Sequence, residues 1–188
     1  TQERVTAIST ELLFFTLELN RIEDDVMERA LESPALAHYE PWLRDLRAMR
    51  PYQLSDEVET LLHEKSVSGH AAWSRLFDET MARLTFEIDG EKLQLEGALH
   101  RLSDKDPATR EKAAHTLSAV FAENAGLFTL VTNTLAKDKE IDDRLRKFAT
   151  PVSARNLSNQ VEDDVVEALN SEVARSHADL SHRYYRLK

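Results

Sequence analysis

Apolar residues recur along this chain at alternating spacings of four and three. Ile8, Leu12, Phe15, Leu19, Ile22 and Val26 form one such series, and Leu117, Phe121, Phe128, Val131 and Leu135 form another, with Asn124 in the same seam. That spacing gathers side chains on one stripe of a helix and suits packing against a second helix. One helix cannot bury its own stripe, so the pattern requires several helices. Only 4 Gly and 5 Pro punctuate 188 residues, which leaves room for long elements. The predicted fold is mainly α, a bundle of long antiparallel helices.

Local signals place the elements. The first helix is expected to run to about Glu32 and to end at Ser33-Pro34, because proline disfavours helical geometry in the residue before it. A shorter helix starts at Glu40-Pro41, turns Leu43, Leu46 and Met49 inward, and ends at Arg50-Pro51. Ser55 reads as an N-cap, followed by Asp56, Glu57 and Glu59 in the acid-favouring first turn, with Leu54 and Val58 placed to staple across it. Ser68 to Leu84 is helical, with Ala72, Leu76, Met81 and Leu84 inward and Trp73 and Phe77 alongside.

One β signal interrupts the helices. Leu84 to Ile88 and Glu91 to Leu95 alternate apolar and polar residues around Asp89-Gly90, a pair suited to a type I′ turn. A hairpin at about 84–95 is too small to stand alone and must lie on helices. Helix returns at Glu96, stops near Ser103 and restarts with Asp106 as N-cap and Pro107 in its first turn. Thr150-Pro151 closes that arm. A last helix begins near Glu162-Asp163-Asp164 and carries Val165, Leu169, Val173, Leu180, Tyr184 and Leu187. No glycine, asparagine or proline follows to stop it, so the expectation is a front piece of a longer protein. Tyr184, Tyr185 and Leu187 are then expected to be exposed or buried between copies, and the fragment to self-associate.

Composition excludes several classes. A net charge of −10 opposes phosphate-backbone binding, which needs a basic face to release counterions; Arg144, Arg146 and Lys147 come nearest to one, directly after Asp142 and Asp143. The absence of Cys removes disulfides and thiolate metal sites and agrees with a cytoplasmic location. Leu12 to Leu17 is a six-residue uncharged run, against about 20 needed to span a bilayer, so no membrane partner is expected.

The candidates for chemistry are sparse. His63-Glu64 begins like a zinc-peptidase helix, but that constellation needs a second His four residues on, and position 67 is Val. Glu96 with His100 and Glu111 with His115 have helical i,i+4 spacing without further ligands. His177, Asp179 and His182 are near in sequence, yet helical geometry spreads the first two around the cylinder. Glu23-Asp24-Asp25 reads as a solvated face and Glu162-Asp163-Asp164 as a helix start. Asn124 reads as a satisfied core amide. No Gly-rich phosphate loop or nucleophile elbow exists. No catalytic or metal residue is assigned in this chain, and substrate-binding residues stay unassigned.

Four segments carry a family likeness together: Leu12 to Leu19, Leu102-Ser103-Asp104-Lys105-Asp106-Pro107-Ala108-Thr109-Arg110, Asn133 to Lys139, and His182 to Lys188. In order and over essentially the whole chain, they resemble the N-terminal region of oligoendopeptidase F, a family of zinc metallopeptidases related to thimet oligopeptidase. The resemblance implies that residues 1–188 are a single helical N-terminal domain, with the His-Glu-x-x-His helix and a downstream Glu ligand lying outside it. It further implies that the intact enzyme holds zinc and hydrolyses short peptides, and that this part, inactive alone, walls a peptide channel and packs on its own catalytic domain. The alternative from another class is a self-contained helical adaptor whose apolar seam binds a partner helix.

Overall fold

A computed structural model describes residues 2–187; Lys188, which closes the last family-like segment, and Thr1 lie outside the described residues. The chain is mainly α with one small antiparallel hairpin. In order it forms α1 (Gln2–Arg21), α2 (Asp24–Leu31), α3 (Glu40–Ala48), α4 (Asp56–Lys65), α5 (His70–Arg83), β1 (Phe86–Ile88), β2 (Glu91–Leu93), α6 (Leu95–Arg101), α7 (Pro107–Arg146), α8 (Ser153–Ser158), α9 (Asp163–Ser176) and α10 (Ser181–Leu187). Short 3-10 turns at Ala37–Tyr39 and Arg50–Tyr52 flank α3. Two compact units make up the chain: unit 1 is Thr1–Ile8 with Thr60–Ile141, and unit 2 is Ser9–Glu59 with Asp142–Lys188.

Unit 1 is built on the hairpin. Phe86 pairs with Leu93, Glu87 with Lys92 and Ile88 with Glu91. Asp89 at φ 53° and Gly90 at φ 82° both adopt the positive φ that a type I′ turn needs. Lys112 Nζ donates to Asp89 Oδ1 at 2.5 Å and so ties the turn to α7. Alternation then sends Phe86 and Ile88 inward, where they meet Ala98 of α6 and Ala113 and Leu117 of α7. Edge-to-face ring contacts extend this core from Phe86 through Phe121 and Phe128 to Phe77. The seam residues Leu117 and Val131 are buried as the periodicity predicts. A Cβ added at Gly90 would meet nothing within 4 Å, so Gly90→Val carries only a backbone cost. It is expected to destabilise the chain by roughly 1 kcal/mol or more, with Gly90→Asn nearly neutral; equal melting temperatures for the two variants would contradict the turn assignment.

The first turn of α7 is capped as expected, with Asp106 Oδ1 and Oδ2 accepting the Ala108 and Thr109 amides, each at 3.2 Å. Its end differs from the expectation. Helix stops at Arg146, before Thr150-Pro151, because Lys147 turns left-handed at φ 64°. The Phe148 and Lys147 amides donate back to the Asp143 and Arg144 carbonyls at 2.9 and 3.3 Å, which is a Schellman ending without glycine. Gln160, at φ 54°, closes α8 in the same way.

Unit 2 corrects three further expectations. The first helix does not reach Glu32: it breaks after Arg21, and Glu23 is extended at ψ 149° before α2 begins. Nor is the chosen stripe the buried one. Leu17 and Asn20 are buried on α1, whereas Ile8, Leu12 and Phe15 are more than half exposed; in the run Leu12 to Leu17 every residue but Thr16 is apolar, which gives periodicity little power to select a face. Finally, the last helical stretch is not continuous. At its interruption the His177 amide donates to Ala174, three residues back, and the His182 amide to His177, five back, so the α ladder tightens and then widens between α9 and α10. Tyr184, Tyr185 and Leu187 of α10 are exposed.

Candidate functional site

An apolar cleft of about 640 Å³ opens in unit 2, and α1, α2, the turn after α2, and α3 supply its walls. The break after α1 makes it possible. Arg47 of α3 donates Nη1–H to the Leu19 carbonyl at 2.6 Å and Nη2–H to the Ile22 carbonyl at 2.8 Å, taking up the orphan acceptors of the α1 end. The same guanidinium donates to Asp24 Oδ1 at 2.5 Å, as does Arg50. The Arg47 hydrogen bond, together with Arg50, holds the Asp24 carboxyl below its ordinary range. Glu23, Asp24 and Asp25 keep the solvated face expected of them, with side chains 76%, 80% and 74% exposed; Asp24 and Asp25 also occupy the first turn of α2, where the helix dipole favours them, and Asp24 pins the corner to α3.

Pinned in this way, α1 and α2 present Phe15, Leu19, Ile22 and Met27 across the cleft from Tyr39, Trp42 and Leu43. Phe15 and Trp42 stack at 6.5 Å between centroids and 16° between planes, yet stay 51% and 46% exposed. Exposed large aromatics lining a concavity of this size mark a place that receives an apolar group. The Tyr39 phenol and the Trp42 indole N–H are the polar groups among the lining side chains. The cleft can bind and orient; it has no acid–base pair.

A second cluster in unit 2 lies where α4 starts and α7 ends. Arg146 donates to Glu59 Oε1 at 2.6 Å and Oε2 at 3.0 Å, to both Asp142 oxygens, and to the Tyr52 carbonyl at 3.3 Å. Side-chain exposure is only 15% for Arg146 and 13% for Glu59. Glu59 also accepts the Leu54 amide at 2.8 Å, the backward reach of a capping box taken one residue further along. Burial on its own would raise the Glu59 carboxyl; the Arg146 hydrogen bond, the Leu54 amide and the Arg146 charge overcome it and hold the pKa below the ordinary carboxylate range. Arg146 is pushed further up, chiefly by Glu59. Tyr52 and Phe148 stack beside this cluster at 4.1 Å, and Arg21 pairs with Asp56.

Of the residues singled out in the sequence, Asp24 borders the cleft and Arg146 belongs to the second cluster, whereas the histidine candidates belong to neither. His63 is half-buried on α4, and Val67 lies in the turn beyond that helix. Glu111 and His115 approach to 3.8 Å on an exposed face, while Glu96 and His100 are exposed on α6. His177 and His182 have ring centroids 6.3 Å apart, with His177 and Asp179 both in the turn between α9 and α10. Asn124 donates to the Val120 carbonyl of its own helix at 2.9 Å. Arg146 turns inward, so Arg144, Arg146 and Lys147 make no continuous basic face. Among the described residues no group of three His, Cys, Asp or Glu could hold a metal ion, and no helix is long and apolar enough to cross a membrane.

The family model described as oligopeptidase F matches residues 18–86. Group B oligopeptidase PepB of Streptococcus agalactiae serotype III (strain NEM316) is 23% identical over 198 residues, covering 100% of this chain and 33% of that protein. The crystal structure of oligoendopeptidase-F from Enterococcus faecium superposes with a TM-score of 0.80 and 24% identity, over 97% of this chain and 36% of that one. The chain thus spans about a third of the length of these relatives. The solved structure shares the fold of this chain over 97% of its length.

Proposed function

We propose that residues 1–188 are the helical N-terminal domain of an oligoendopeptidase F-like zinc metallopeptidase that hydrolyses short peptides in the cytoplasm. The observation carrying this reading is the alignment of the whole chain with a third of a named oligopeptidase. The residues present do not fit zinc: His63-Glu64 lacks its partner at Val67, and the remaining His and carboxylate pairs are isolated. The metal and its ligands therefore belong to the catalytic part, outside these residues. This domain contributes scaffold and one wall of a peptide channel, so that short, unfolded peptides enter and folded proteins do not. Its partners are the peptide and its own catalytic domain. The adaptor reading accounts for the apolar cleft but leaves the likeness along the whole chain unexplained.

The test compares the purified 188-residue chain with the product of the complete reading frame. The expected result is chelator-sensitive cleavage of a quenched fluorescent peptide, with stoichiometric zinc, in the complete protein only. His63→Ala in the chain should alter stability modestly and zinc content not at all. Zinc bound one-to-one by the 188 residues, with peptide cleavage, would refute the assignment of roles.

A further inference from the structure

We infer that the unit 2 cleft is a side-chain subsite for the peptide, taking an aromatic or branched apolar residue that has a lysine or arginine beside it. This rests on the peptidase reading and names the peptides that reading favours. The build of the cleft is the first support. Met27 and Leu43 lie deepest, at 5% exposure each, whereas Phe15, Tyr39 and Trp42 stay about half exposed at the rim. Rings left in solvent beside an apolar floor shed water only when another apolar group enters. The volume of about 640 Å³ lies within the roughly 300 to 1,000 Å³ of ligand sites and exceeds what one side chain fills. One ring with its adjoining backbone fits, and the Tyr39 phenol and Trp42 indole N–H are donors at hand for peptide carbonyls. The flexible thioether of Met27 lets the floor adapt to rings of different size.

Charge selects the neighbours of the inserted residue. Residues 11–45, which supply every wall of the cleft, hold nine carboxylates against three arginines and no lysine. Those arginines are already matched: Arg21 by Asp56, Arg29 by Asp25, and Arg44 by Glu28 and Glu40. Glu18, Glu32 and Asp45 are exposed and pair with no cation among the described residues. Helical spacing sets Glu18 one turn beyond Phe15 and Asp45 one turn beyond Trp42, while Glu32 falls between the lining residues Ala30 and Leu36. Unmatched carboxylates around an apolar mouth favour a cation next to the inserted side chain, and arginine can meet a carboxylate through two parallel hydrogen bonds. They repel a peptide whose neighbouring residues are acidic, so the same groups attract and exclude.

Two measurements test the subsite. In a Trp73→Phe form of the 188-residue chain, Trp42 is the one remaining tryptophan, so its emission reports the cleft. The probes are short peptides identical except for a central Arg-Phe-Arg, Glu-Phe-Glu or Arg-Gly-Arg. The first should shift Trp42 emission to the blue and saturate; the other two should bind at least about tenfold more weakly. Glu18→Lys with Asp45→Lys should invert the preference between the Arg-flanked and Glu-flanked peptides, and Phe15→Ser should abolish the shift. Should Phe15→Ser unfold unit 2 by circular dichroism, the charge reversals, at exposed positions, still decide. In the complete zinc enzyme the same reversals should raise KM for the Arg-flanked peptide at least about tenfold, with kcat nearly unchanged. Emission that no peptide moves, or that all three move alike, overturns the subsite, and so does a peptide preference indifferent to charge reversal. A complete protein that cleaves no peptide refutes the peptidase reading instead, and Trp42 emission then decides the subsite alone.

Discussion

Replacing Arg146 with alanine is expected to destabilise the chain by about 3 to 5 kcal/mol, the usual cost of removing one member of a buried ion pair. The loss exceeds that of the bonds themselves because Glu59, only 13% exposed, would keep the Leu54 amide and lose the guanidinium that pairs with it. Two controls separate pairing from packing. Glu59→Gln with Arg146→Met exchanges the pair for uncharged groups of similar length and should recover most of the stability. Acid titration supplies the second. The Glu59 carboxyl is held below its ordinary value, so the contribution of the pair is complete above roughly pH 4.3 and is lost as pH falls through the depressed value. Urea unfolding between pH 3 and 7, followed by far-UV circular dichroism, should show that this acid limb flattens in the Glu59→Gln/Arg146→Met protein. An Arg146→Ala protein within about 1 kcal/mol of the parent would mean that water already satisfies Glu59.

The pair also shows where sequence reading stops. Glu59 was legible as a first-turn acid of α4, and Arg146 as one of three cations near the end of α7, but nothing local connects residues 87 positions apart. Signals that act within a few residues were readable: Asp89-Gly90 as a turn, Asp106-Pro107 as a helix start, and Glu162 ahead of Asp163 and Asp164 as another. Signals that depend on a distant partner were not. α1 breaks where Arg47, on another helix, takes up its last carbonyls, so the four-three spacing ran on past the real end. Lys147 and Gln160 end their helices in a conformation that usually announces itself by glycine; a non-glycine residue there leaves no mark in the sequence. The cleft was missed for a related reason. Leu43 was read as inward, yet Tyr39 and Trp42 gain their role only once α3 is drawn against the corner by Arg47 and Arg50.

Phe86→Ala is expected to cost about 3 to 5 kcal/mol, the range for deleting a buried phenylalanine. Phe86 is 0% exposed and stands edge-to-face to Phe121 at 5.8 Å, a geometry that adds about 0.5 to 1.5 kcal/mol beyond buried area. The consequence should reach past the cavity. β1 and β2 pair over three residues each, and two such strands are marginal without a surface to lie on; Phe86 and Ile88 are the side chains that fasten them to α6 and α7. Removing the ring should therefore release the hairpin before the helices unfold, so amides of Ile88 and Leu93 should lose hydrogen-exchange protection more than those of α7 near Val131. Phe86→Leu, which keeps most of the volume, should lie well between parent and alanine variant. Equal loss of protection in hairpin and helix would show that the two open as one unit, and that the hairpin owes its place to more than this one ring.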